Sequence, residues 1–96
     1  MEEHYLIVGP VNPDELKEGQ PFKFPIIKMV PSGKGWKCNK KKDARTSVWV
    51  NLTTLTRKGS QVSFTGVIAP SGLMRLPTKG SVPAGGADGT MTVTMP

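Results

Sequence analysis

The sequence predicts an all-β fold, and three observations carry the prediction. Apolar and polar residues alternate with period two through residues 48–68, VWVNLTTLTRKGSQVSFTGVI, the pattern of strands with one buried and one wet face. The 96 residues include 11 Gly and 9 Pro, so turns are frequent and no long helix is expected. Valine and threonine are enriched, as in strands. At this length the chain is one domain, residues 1–96, with a small core.

Each element follows from local chemistry. Tyr5 to Val8 is a short apolar run stopped by Gly9-Pro10 and reads as a first strand. Val11-Asn12-Pro13-Asp14 is turn chemistry, and Asp14 to Glu18 leaves room for at most one helical turn before Gly19. Phe22 to Val30 reads as a second strand. Pro25 has no N–H to give to a ladder, which places it at an edge or a bulge. Pro31 to Gly35 is a turn, and Trp36 to Ser47 is a strand end running into a mobile basic loop. In the central hairpin, Val48, Val50, Leu52, Val62, Phe64 and Ile68 form the core side, and Thr56 to Ser60 connect the two runs. Phe22 and Phe24 share a face with Ile26 and join that core. Ala69 to Thr90, rich in Gly, Pro and Ser, reads as a long flexible loop. Met91 to Met95 closes the chain as a last strand. Five short strands with long loops after the second and fourth fit a five-stranded Greek-key barrel of the OB type, a fold that binds oligonucleotides on one sheet face and its loops.

Trp49 is the residue that turns this reading toward function. The alternation puts it on the wet face with Asn51 and Thr53, where a core tryptophan does not belong. A large ring on a polar β-surface suits stacking against something flat. Around it, Lys34, Lys37, Lys40, Lys41, Lys42, Arg45, Arg57 and Lys58 are interleaved with Trp36 and Trp49. Cations neutralise phosphates and aromatics stack bases, so the mixture suits single strands with splayed bases. The alternative for Trp49 is a cross-strand packing residue, and for Trp36 a lid over the barrel.

Charge supports a polyanionic partner. Five of the seven acids lie in the first 18 residues, whereas from Gly19 onward 12 Lys or Arg face only Asp43 and Asp88. Nucleic acid ranks before a membrane surface, because no basic amphipathic helix is present. No apolar run approaches the ~20 residues a membrane helix needs, and the N-terminus lacks a signal-peptide pattern. Lone Cys38 forms no internal disulfide and no cysteine-based metal cluster. A reducing, cytoplasmic setting follows, the host cytoplasm if the source is viral.

Catalysis finds little footing. His4, the single histidine, sits at a terminus expected to fray. Asp14, Glu15 and Glu18 read as a solvated turn, and Cys38 has lysine neighbours but no partner base. No P-loop, dinucleotide fingerprint or metal-ligand spacing is present. The reading is of a non-enzyme without cofactor or metal.

Arg57-Lys58-Gly59-Ser60-Gln61-Val62, with Gly66 four residues on, resembles the RKGSxVxxxG signature of the bacterial-type single-stranded DNA-binding proteins. Residues 5–15, YLIVGPVNPDE, are similar to that family's first strand and turn. Trp49 and Trp36 stand where the family places two stacking tryptophans. The resemblance spans about residues 5–68 and implies an OB fold, single-stranded DNA as partner, a dimer or tetramer, and roles in replication or recombination. The departures have consequences. Only Thr53 to Thr56 separates the runs where the family carries a helix, Leu55 and Leu73 stand at positions of further aromatics, and the family's acidic C-terminal tail is absent. A minimal member carried by a phage or other mobile element fits these losses. Two alternatives stay open: an OB-fold accessory that binds RNA or a replication protein, and a small inhibitor or adaptor that sets its basic loop on an acidic protein surface.

Overall fold

A computed structural model describes residues 1–38, 45–69 and 75–96. The described residues are all-β apart from one 3-10 turn, Pro13–Glu15. Its strands are β1 (Glu2–Ile7), β2 (Pro21–Ser32), β3 (Gly35–Cys38), β4 (Thr46–Lys58), β5 (Gln61–Ile68), β6 (Leu76–Pro83) and β7 (Gly89–Thr94). All pair antiparallel in one sheet of order β1-β7-β6-β5-β4-β2-β3, and β1 also pairs with β2. The order therefore returns on itself, with β3 carried as a short extension of β2. The sequence reading gives five strands in a Greek key; the described residues form seven, with β4 through β7 neighbours in chain order, β4 paired with β2 rather than β3, and β7 paired with β1.

The central hairpin is tighter than the alternation alone predicts. Lys58 pairs with Gln61, so the turn is just Gly59-Ser60, and Gly59 has φ 62°. A positive φ at the first turn residue alone is the type II′ geometry, which matches the twist of the flanking strands. Thr53 to Lys58 thus belong to β4. A register shift between Leu52 and Thr54 leaves Thr53 as the extra residue of a bulge. Before it Val50 and Leu52 face inward; after it Leu55 lies opposite inward Phe64. The parity of the alternation changes there, and a strict period-2 reading ends the strand too soon.

Residues 69–90 are the main correction. Instead of one long loop they contain β6, hydrogen-bonded between β5 and β7. Its inward positions are Leu76, Thr78, Gly80 and Val82, and its outward ones include Pro77 and Lys79. The inward face is small because the core is already full. A Cβ on Gly80 would lie 2.7 Å from Phe64 Cζ, so only glycine fits there. The composition that reads as flexible is a requirement of volume. The strand end expected at Trp36 is β3, as far as Cys38; Thr46 and Ser47, expected in the basic loop, begin β4, and the rest of that expected loop at 39–44 lies, with residues 70–74, outside the described residues.

Pro25 is not at an edge or a bulge. The β2–β4 register runs unbroken from Pro21↔Asn51 to Ile26↔Thr46. The Pro25 carbonyl instead accepts the N–H of Val8, so its missing donor faces the end of the β1 ladder and no bond to β4 is lost. His4 does not fray either. It is half-buried in β1, paired with Thr92, and the strand starts at Glu2 because β7 holds it as far as Thr94.

The core centres on Phe24 and Phe64, stacked at 4.8 Å and 13°, with Phe22 edge-on to Phe24. Ile7, Val50, Val82 and Met91 close around them, all but fully buried. Gly66, singled out by the sequence signature, faces this core, and a Cβ there would sit 2.6 Å from Val50 Cγ1.

On β1 the Glu3 carboxylate accepts the Tyr5 hydroxyl at 2.8 Å and pairs with Lys28 at 2.6 Å. The hydrogen bond from Lys28, then that from Tyr5, hold this carboxyl below its ordinary value. Burial, then the hydrogen bond to Glu3, push Tyr5 up to about 12. A carboxyl lowered on folding contributes stability above its unfolded value of 4.5, lost as pH falls through the lower folded value. The phenol contributes below its unfolded value of 10.0, and that share is lost as pH rises through about 12. Tyr5 is the single tyrosine, so tyrosinate absorbance reads it directly. The expected midpoint is about 12, moving down in Glu3→Gln, which also softens the loss of stability in acid; an unchanged midpoint in that variant would contradict the pairing.

Candidate nucleic-acid interface

The outer face of β2 and β4 presents the first candidate residues. Trp49 points outward from β4 with 59% of its surface in solvent, as the alternation predicts. Strand pairing sets Lys23 directly across from it, a position where side chains lie about 5 Å apart at Cβ. Asn51 follows on the same face, exposed and opposite Pro21 and Val67. No aromatic ring contacts Trp49 among the described residues.

The second candidate group rides on the β2–β3 arm. Gly33, with φ 59°, and Lys34 make a two-residue turn between Ser32 and Gly35, again the type II′ pattern. Trp36 lies opposite Pro31 and Lys37 opposite Val30. Lys34, Trp36 and Lys37 are all exposed, Trp36 at 41%. One face of the Trp36 ring is covered by His4, with centroids 4.1 Å apart and planes at 28°. Cys38 ends the strand half-buried, opposite Met29.

The remaining predicted cations divide. Arg45 is exposed just before β4, on the approach to Trp49. Lys40, Lys41 and Lys42 lie outside the described residues. Arg57 and Lys58 sit at the far end of β4, Lys58 roughly 30 Å of strand from Trp49 at ~3.3 Å per residue. Acids neutralise that end: Arg57 pairs with Asp14, and Glu18 accepts the N–H of Leu55. The structure brings together Lys34, Trp36 and Lys37 on the arm, and Trp49 with Asn51 on the sheet, but does not gather Arg57 and Lys58 with them. Measured along β2, the residues opposite the two tryptophans, Lys23 and Pro31, are roughly 25 Å apart. That is within the span of one strand at the usual ~4–16 nucleotides per site.

Two residues of this surface escape the sequence reading. Lys23 alternates with Phe22 and Phe24, which marks it as outward, yet its place across from Trp49 depends on a register that no local pattern gives. His4 carries no local signal for its stack on Trp36. Comparison with protein-family models, with curated proteins and with solved structures finds no match for this chain.

Proposed function

We propose that the chain binds single-stranded DNA without sequence preference, stacking bases on Trp49 and Trp36 and neutralising phosphates with neighbouring lysines. The observation that carries this reading is Trp49, an indole left mostly in water on a polar sheet face opposite Lys23. Leaving such a ring in water forgoes roughly 1.5–3 kcal/mol of burial, and among the described residues no aromatic ring packs against it. A base plane beside a phosphate supplies both the missing contact and a counterion for the lysine. Single strands are favoured over duplex because only unstacked bases offer their faces. The same reading takes the returning strand order as a small closed barrel, with the β2–β4 face as platform and the β2–β3 arm beside it. Coverage without sequence preference suits protection of single strands during replication or recombination.

Tryptophan fluorescence tests it. Titration with oligo-dT at low salt is expected to quench the emission strongly, and raising the salt to weaken the binding. Both tryptophans are exposed, so the absence of quenching at low salt would overturn the stacking platform. A matched RNA oligonucleotide in competition separates DNA from RNA preference through the 2′-hydroxyl.

A further inference from the structure

His4 and Trp36 are 32 positions apart in sequence and on different strands, yet their rings stack at 4.1 Å. They meet because β1 pairs with β2 at Ile26 to Lys28 while β3 pairs with it at Met29 to Ser32, on adjoining stretches of one strand. We propose that His4 is the positioning residue of a one-sided stacking subsite: its imidazole backs one face of Trp36, leaving the other to take a single base. This rests on the single-stranded DNA reading above and names how one of its platforms is built.

Two features support it. Trp36 stays 41% exposed although one ring face is covered, so the stack does not bury the indole. Lys34, two residues before it at the turn, is exposed beside the arm, where a backbone phosphate of the stacked nucleotide needs a counterion. The arm is short, since β3 has four residues and pairs only with β2 among the described strands. A ring on such an arm loses rotamer freedom on binding unless it is held beforehand. His4 is itself held on a strand paired with β7 along its whole length, so it supplies that support from a rigid element. The subsite takes any base, because every base has a flat face.

The test is oligo-dT titration of the full chain as parent, His4→Thr, His4→Phe, Trp36→Ala and the double variant His4→Thr/Trp36→Ala. Threonine keeps strand propensity while removing the ring. His4→Thr is expected to weaken binding about three- to tenfold, the worth of one aromatic pair, and His4→Phe to restore it. The double variant is expected to bind no more weakly than Trp36→Ala, since His4 acts through Trp36 alone. Circular dichroism checks folding, and if His4→Thr unfolds the chain, His4→Leu carries the same comparison. Parent-like affinity of His4→Thr beside a weakened Trp36→Ala overturns the positioning role and leaves the binding reading standing. So does a failure of His4→Phe to rescue. A parent chain that binds no oligonucleotide at low salt removes the underlying reading, and this proposal with it.

Discussion

Trp49→Ala is expected to weaken oligo-dT binding by roughly five- to a hundredfold, while leaving the fold intact. The magnitude follows from base–aromatic stacking at about 1–3 kcal/mol per base, with each 1.4 kcal/mol worth about tenfold. The fold is spared because Trp49 lies outside the core, and surface substitutions of that kind usually stay within about 0.5 kcal/mol. Salt dependence separates the ring from its neighbour. Stacking releases no counterions, so the slope of log affinity against log salt is expected to be the same in Trp49→Ala as in the parent. Lys23→Gln is expected to reduce that slope by about 0.7, the value for one phosphate of a single strand. Titrations at several salt concentrations measure both. If Trp49→Ala binds oligo-dT like the parent, the β2–β4 face is not a stacking platform.

Phe64→Ala is expected to remove about 3–5 kcal/mol of stability, a large share of the 5–15 kcal/mol typical of single domains. Phe64 is 2% exposed and stacks on Phe24. It also occupies the space that Gly80 leaves open on β6. Truncating the ring leaves a cavity against Gly80, which has no side chain to move into it, so little relaxation on that side offsets the loss. Urea denaturation followed by circular dichroism reads the change. A loss under about 1 kcal/mol would mean that the two phenylalanines do not form the centre of the core. The same substitution far from the outer face is expected to leave the oligonucleotide affinity of the folded fraction unchanged, which separates core from platform.

The outward placement of Trp49, the inward placement of Val50, Leu52, Val62 and Phe64, and the all-β character were legible in the residues themselves. Alternation of side chains across a strand is a property of the extended backbone, so it needs no knowledge of neighbours. Where that local rule was interrupted, reading failed. The bulge at Thr53 shifted the parity, and Gly80 and Thr78 disguised the buried face of β6 as loop composition. Both are answers to volume, set by what lies across the sheet rather than by what lies next in the chain. The site divides in the same way. The sequence by itself determined that Trp49 faces water and that cations and tryptophans are interleaved. Only the tertiary structure decided that Lys23 stands across from Trp49, that Arg57 is engaged by Asp14 at the far end of β4, and that His4 backs Trp36. Those relations follow from which strands pair and in what register. That choice is made by the packing of side chains distant in sequence, and no local pattern encodes it.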